Sequence, residues 1–549
     1  MMQRQGLRAA GTGAGVDAAL AAAVTFISAA PYLSALGFYS DDWALLAGFA
    51  SGRSESLLTW DSVTFPGRPV QGFYLTLLFR AFGLDPFGYH LVNAAMLAIS
   101  AALLCTLLVR LGVGRAQSFA ATILFVLMPQ LSTARVWYAA FQVALSMALM
   151  LASMHCMLSF FRSGKIGSAI GAIIAAGLSF AAYEIFAPLI AGFAIGATLL
   201  RWRKSKGRDG RSLSAQAAGV TVLVLLAFVT KLVFSGGRAA QLPNVSEYVR
   251  GLHQLFRLDY DWRVDAGMNV FAAPQMYFGA PVQGWWAGAR TLLSGNATFE
   301  VAVIAVVIAV VAASRLARQE AISTETALRL LLLGIATLIL GVAIFLVIPP
   351  IFTPTGIANR FHVAAALGAA MILVALISLS CSALPPRGRG IAFCAVIAFV
   401  AASAFVRMWT IERYWAEAPA IQRTILKAAR VDLQKLPSGS TVILDGVCPY
   451  HGPAVVFDTS WDVAGALTLA LGRPISGDAV SPRMSVTAQG LRTSMYGDPS
   501  FYPYGGNLYI YDPRTHSVVP LSNRAAAVRY FASRQPIACT GSVDRGAEV

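Results

Sequence analysis

The chain has 549 residues, 57% of them hydrophobic and only 12% charged, with a mean hydropathy of +0.64. A soluble domain carries about twice that share of charge, so a soluble globular enzyme is excluded. The net charge of +16 does not indicate nucleic acid: the cations fall in short clusters between apolar runs, the pattern of cytoplasmic membrane loops, and no RNA- or DNA-binding module is recognisable.

Apolar runs long enough to cross a bilayer recur along the chain, giving an expected total of about eleven spans. They lie near 16–37, 87–109, 117–134, 139–161, 166–183, 185–200, 214–235, 298–314, 327–348, 361–382 and 390–407. Arg4 and Arg8 before the first run resemble the leader of a signal peptide. The run is long for a cleaved signal and FYSDDW follows it at once, so it reads as an uncleaved first span. Arg110, Arg115, Arg162, Lys165, the run Arg201–Arg211, Arg315, Arg318, Arg387 and Arg389 all follow even-numbered spans. That side is read as cytoplasmic, together with the N-terminus. Two long loops then face outward, 38–86 and 236–297. The first contains PVQGFYLTLLFRAFG, patterned as a short interfacial helix; the second is rich in Tyr, Trp and Phe. The membrane part occupies 1–410 and a polar region 411–549.

In the polar region, TVILDG and AVVFD read as strands and SWDVAGALTLALG as a capped helix. NLYIYDPRTHSVVPL reads as a hairpin and SNRAAAVRYFASR as a final helix. The expectation is a small extracytoplasmic α/β domain of ordinary size. Cys448 and Cys539 lie there and would be free to form a disulfide outside the cytoplasm. Cys105, Cys156, Cys381 and Cys394 sit in apolar runs as small hydrophobes.

Asp41 and Asp42, in the first outer loop, are the leading candidates for chemistry. One carboxylate can accept the proton of an attacking hydroxyl, while its neighbour raises its basicity by like-charge repulsion. A divalent cation held by the pair is the one cofactor they admit. The plain structural alternative is a helix cap. Glu184, in AAYEIFAP between two apolar runs, is an ionisable group near membrane depth and so a candidate for substrate binding or for orienting a partner. Neighbouring Tyr183 belongs to the same turn, and Trp137, Tyr138 and Gln142 are candidate walls of a sugar pocket. His253, Asp259, Asp261 and Asp265 read as a solvated loop rather than a metal cluster. Asn244 and Asn296 begin glycosylation-type triplets that arise readily by chance.

The order of these features resembles a family. An acidic pair after the first span, Arg68-Pro69, a short interfacial helix, then Phe82-Gly83 and FGYHLVNAA opening span two are similar to the GT-C membrane glycosyltransferases. Among these are the protein O-mannosyltransferases and aminoarabinose transferases. The resemblance covers about residues 16–110. It implies a GT-C fold and a polyprenyl-phosphate-linked sugar donor, with inverting transfer outside the cytoplasm of a bacterium to a glycan, lipid or protein. Asp41 matches the position of the base, Asp42 the second acid and Arg68 the basic-Pro motif. Tyr89-His90 opens span two; His90 is a substrate-binding candidate on this resemblance, although the family often has Arg there. The leaving phosphate needs cations, for which Arg68, Arg360 and His362 in GIANRFH, and Arg135 are candidates. The competing readings are a transporter or flippase of lipid-linked sugars and an envelope polysaccharide polymerase or ligase. Against the first, no inverted repeat is evident; against the second, the acidic motif comes early rather than late in the chain.

Overall fold

The structure is a computed structural model and describes residues 2–53, 65, 67–204, 216, 218–227, 229, 275–317, 323–343, 355–495, 498–535, 537 and 539. Long apolar runs leave helices as the means of crossing a bilayer, because each backbone group must be bonded within its own segment. The helices are α1 (Met2–Ile27), α2 (Asp41–Gly48), α3 (Pro69–Phe82), α4 (Pro86–Arg110), α5 (Arg115–Val126) and α6 (Ser132–Val136). Then come α7 (Gln142–Ser163), α8 (Ile166–Ala182), α9 (Ala187–Lys204) and α10 (Ala218–Ala227). There follow α11 (Ala280–Leu293), α12 (Phe299–Ala317), α13 (Thr324–Val342), α14 (Val363–Ser382) and α15 (Pro386–Asp432).

Among the described residues, seven helical units are long and apolar enough to cross a membrane. The chain is a multi-pass membrane protein. An eighth unit is formed by Arg115–Val126 with Pro129–Val136, bent by 57°. The break falls where Pro129 lacks the N–H that a continuing helix requires. Three further expected spans contain shorter apolar helices, Gly13–Ile27, Ile166–Ala182 and Ala218–Ala227. The first span was expected to reach residue 37, but α1 stops at Ile27 and turns follow, with Pro31 unable to extend a helix through this stretch. Most of the second outer loop, with Asn244, His253, Asp259, Asp261 and Asp265, lies outside the described residues.

Helices α13 and α14 pack backbone to backbone. A side chain on Gly341 would strike the backbone of Ala365, and one on Gly368 the backbone of Leu338. Small residues at such contacts let helices approach closely where water supplies no driving force.

The expected boundary at 410/411 falls inside a continuous helix. α15 has 47 residues, about 70 Å at 1.5 Å per residue. It leaves the apolar region and runs on beneath the C-terminal sheet. Gln422 Nε2 there donates to Val456 O at 2.9 Å.

Among the described residues the C-terminal region contains nine strands: β1 (Thr441–Leu444), β2 (Tyr450–His451), β3 (Ala454–Val455), β4 (Ser476–Ala479), β5 (Ser485–Val486), β6 (Gly490–Met495), β7 (Asp498–Pro503), β8 (Leu508–Asp512) and β9 (Ser517–Pro520). Two helices join them, α16 (Ser460–Leu471) and α17 (Arg524–Ser533). One sheet has the order β4-β1-β8-β9, with β1 parallel to both β4 and β8, and β9 antiparallel to β8. β1, α16 and β4 thus make a crossover unit, which an α helix normally bridges. Thr459 caps α16 in a reciprocal capping box with Asp462. Of AVVFD only Ala454–Val455 pairs, with β2. The meander β5-β6-β7 was not expected from sequence, because its strands are short and rich in Ser, Pro and Gly.

Cys448 and Cys539 form a disulfide, with Cα atoms 5.6 Å apart. Cys448→Ser with Cys539→Ser is expected to destabilise this region by about 2–5 kcal/mol. Urea unfolding with and without reductant measures the effect. The double variant should match the reduced wild type and itself be insensitive to reductant.

Candidate active site

Asp41 and Asp42 are the first two residues of α2, where the positive end of the helix dipole favours carboxylates. They follow Ser40, whose φ of 46° and ψ of −121° are strained for a residue with a side chain. The two acids have different surroundings. Asp42 is fully buried. Its Oδ2 accepts from Tyr39 N at 2.9 Å and its Oδ1 from Ala139 N at 2.8 Å. Burial pushes its carboxyl well up, against the pull of these amides. Asp42 therefore fastens the acidic motif to the strap 136–141.

Asp41 is half-buried. Its Oδ1 accepts from Trp461 Nε1 at 2.8 Å, and among the described residues its Oδ2 has no partner. Burial pushes the Asp41 carboxyl above the usual range, while the charge of Arg360 and the Trp461 N–H oppose the rise. Sequence reasoning left open which acid is the base. The geometry leaves Asp41 with an oxygen to spare.

Trp461 was missed in the sequence. It lies 420 residues from Asp41, on a helix read as part of a separate domain, and nothing in its local sequence marks it. α16 reaches Asp41 because Gly465, one turn after Trp461, lets the helix sit directly against the backbone of Trp43 and Ala44 in α2.

Arg360 belongs to the 3-10 helix Ile357–His362. Asn359 docks that helix on the broken span, donating to Pro129 O at 3.0 Å and Ser132 Oγ at 2.7 Å. The Arg360 guanidinium carbon lies 4.5 Å from the Trp137 ring centroid and 4.6 Å from that of Phe361. Its Nη1 donates to Ile357 O at 2.7 Å. No carboxylate lies within 4 Å of it among the described residues. Trp137 is fixed in turn by its Nε1, which donates to Tyr39 O at 3.0 Å. An aromatic-stacked arginine without a bonded acid, beside a carboxylate with a free oxygen, offers an anion-binding group next to a proton acceptor.

A second cluster joins Arg68 and Glu184. Arg68 Nε donates to Glu184 Oε2 at 2.9 Å, and Nη2 bonds the other oxygen. The guanidinium lies 4.4 Å from the Tyr183 ring centroid. Both partners are 13% exposed, so Glu184 is an orienting partner for Arg68. Arg68 stands at the N-terminus of α3, which Tyr138 ties to the strap by donating its hydroxyl to Leu75 O.

Three expectations require correction. Arg135 is buried and committed to the interior. Its Nε lies 2.7 Å from Glu412 Oε1, Nη1 donates to Val126 O at 3.0 Å, and Nη2 donates to Ser28 Oγ at 2.8 Å and Tyr32 Oη at 2.7 Å. A donor phosphate cannot reach it. His362 is fully buried, with Nδ1 2.7 Å from Tyr277 Oη. His90 is buried, with Nε2 3.0 Å from Gly37 O, and holds the chain entering the acidic motif rather than lining a pocket. Tyr138 and Gln142 are also buried. Among the described residues no group of three or more His, Cys, Asp or Glu side chains is placed to hold a metal ion. With both Asp42 oxygens on backbone amides, the acidic pair would give such an ion Asp41 alone.

No protein-family model and no curated protein matches the chain. Among solved structures it is similar to ArnT from Cupriavidus metallidurans in the apo state, at 15% identity and a TM-score of 0.38 over 85% of this chain and 86% of that one. The same protein bound to undecaprenyl phosphate aligns at 15% identity and a TM-score of 0.36, covering 84% and 85%. The arabinofuranosyltransferase AftD from Mycobacteria aligns at 15% identity and a TM-score of 0.38, covering 84% of this chain and 32% of that one. No residue of this chain takes a role from these likenesses.

Proposed function

We propose that the chain is a GT-C-type glycosyltransferase that moves one sugar from a polyprenyl-phosphate donor to a hydroxyl of an envelope glycan, lipid or protein. The observation that carries this reading is the pairing of Asp41, with its uncommitted oxygen, and Arg360, stacked between Trp137 and Phe361. In the reaction the acceptor oxygen bonds the anomeric carbon from the face opposite the phosphate, inverting it. The bond from that carbon to the phosphate oxygen breaks, and the electron pair leaves with polyprenyl phosphate. Asp41 takes the hydroxyl proton, and Arg360 neutralises the departing phosphate. Arg68, held by Glu184 and Tyr183, is the second cation facing the donor.

The Asp41–Trp461 hydrogen bond supports a C-terminal region on the same side of the membrane as the acidic pair. The disulfide supports an oxidising compartment, the periplasm of a bacterial inner-membrane protein with its N-terminus in the cytoplasm. Since α16 covers the base, the C-terminal region takes part in acceptor recognition.

The test is release of polyprenyl phosphate from a panel of synthetic polyprenyl-phosphate sugars by the purified protein in nanodiscs. Release with transfer to an acceptor is expected. Movement of intact lipid-linked sugar between leaflets without release would replace this reading with the flippase. Loss of transfer in EDTA, restored by Mg²⁺ or Mn²⁺, would add a cation at Asp41.

Trp461→Phe supplies a pH test. The indole N–H holds the Asp41 carboxyl below the value that burial alone would give. Without this donor the pKa rises, the basic form is lost at a higher pH, and the acid limb of the kcat/KM profile moves upward. A merely structural role for Trp461 would lower the profile without moving that limb.

A further inference from the structure

At the arginine-rich end of the helices, remote from Asp41, lies an apolar cavity of about 650 Å³. It is lined by α4, α7, α9, α13 and α14, through residues such as Leu107, Met154, Phe193, Leu340 and Met371. Among the described residues Arg201 is its one charged lining residue. Its Nη1 donates to Phe161 O, at the same rim. Arg162, the next residue, donates to Arg110 O at 2.7 Å. Arg110 in turn bonds Ser159 Oγ at 2.9 Å and lies 2.7 Å from His155 Nδ1. Three arginines thus converge on one mouth. Among the described residues none of the three has a carboxylate within 4 Å, and the side chains bonded to them are neutral.

We infer that this cavity is a binding site for an anionic glycerophospholipid of the adjoining leaflet, its acyl chain in the cleft and its phosphate at Arg162 and Arg201. Charge complementarity selects the ligand: a basic pocket between spanning helices on the positive side of the membrane suits an anionic headgroup, and the apolar lining excludes a polar solute. The sugar donor is a poor occupant. α4 begins near the acidic motif, where Tyr89 packs on Phe38, and ends at this mouth; Pro86 and Arg110 are 24 residues apart, about 36 Å at 1.5 Å per residue. A phosphate bound at Arg201 is therefore not the one that departs at Asp41.

The test needs no knowledge of the reaction. The purified full-length protein is titrated with phosphatidylglycerol bearing a fluorescent acyl chain and, in parallel, with phosphatidylcholine of the same chain. The wild type should prefer phosphatidylglycerol. Arg162→Gln with Arg201→Gln should weaken that lipid about 30-fold, roughly fivefold per arginine, and remove the preference. Gly196 lines the cavity, and a Cβ there would meet nothing within 4 Å. Gly196→Leu therefore places its side chain in the cleft from an unobstructed Cβ, and should weaken both lipids at least tenfold with an unchanged Tm. Equal affinity of the wild type for the two lipids would overturn the proposal. So would unchanged binding in Gly196→Leu, or displacement of phosphatidylglycerol by a long polyprenyl phosphate in preference to unlabelled phosphatidylglycerol.

Discussion

Asp41→Asn is expected to lower sugar transfer by about 10²–10⁴-fold, the range of a lost general base, with no change in thermal stability. An amide keeps the acceptor oxygen that Trp461 bonds but takes no proton from a hydroxyl. The neighbouring substitution should behave in the opposite way. Both oxygens of Asp42 accept backbone N–H groups, from Tyr39 and Ala139. In Asp42→Asn one of those amides faces an NH₂ donor instead of an acceptor. A buried unsatisfied donor costs about 1–3 kcal/mol, so this variant should lose stability and release the strap that holds Trp137. Single-turnover transfer and the unfolding midpoint, measured on both variants, separate the roles. Full stability with no activity in Asp42→Asn, together with activity in Asp41→Asn, would exchange them.

Arg135→Met is expected to be the most destabilising single change in the membrane part. Arg135 and Glu412 are 3% and 0% exposed at their side chains and lie 2.7 Å apart. Removing one member strands the other charge away from water, at a cost of about 3–5 kcal/mol. It also removes the hydrogen bonds that Arg135 donates to Tyr32, Ser28 and Val126. The loss should appear as a lower Tm in detergent. Adding Glu412→Met should recover much of it, because two apolar side chains of similar volume can replace a buried pair with little penalty. If Arg135 acted on a substrate phosphate instead, Arg135→Met would keep its Tm and lose donor affinity, and the second substitution would restore nothing.

The parts of this protein that could be read from sequence are those that local physics determines. Apolar runs gave the helices of the membrane part. The capped run SWDVAGALTLALG gave α16, although the cap itself is Thr459, and the pattern around Asp512-Pro513 gave the β8-β9 hairpin. The acidic pair could be located but not resolved, because the distinction between Asp41 and Asp42 depends on the amide of Ala139, 97 residues away. Arg135 and Arg360 looked alike as cations near the outer ends of spans. They differ in the structure because the 57° break turns Arg135 inward against α15, while the 3-10 helix stacks Arg360 on aromatic rings. The continuity of α15 across 410/411 was not legible for a related reason. α15 continues into the polar region on buried residues such as Trp415, Ala418 and Gln422, which composition alone reads as the start of a new domain.

The hydrogen bond from Trp461 to Asp41 also bears on how the protein is made. The two residues are separated by 420 positions. At about 5–20 residues per second, the ribosome takes about 20–80 s to travel from one to the other. During that interval the acidic turn exists without the helix that will cover it. The carboxylate acquires its donor only when most of the chain, through Trp461, has been synthesised. Nascent and truncated chains ending before α16 are therefore inserted without a completed centre, so activity begins with the finished molecule.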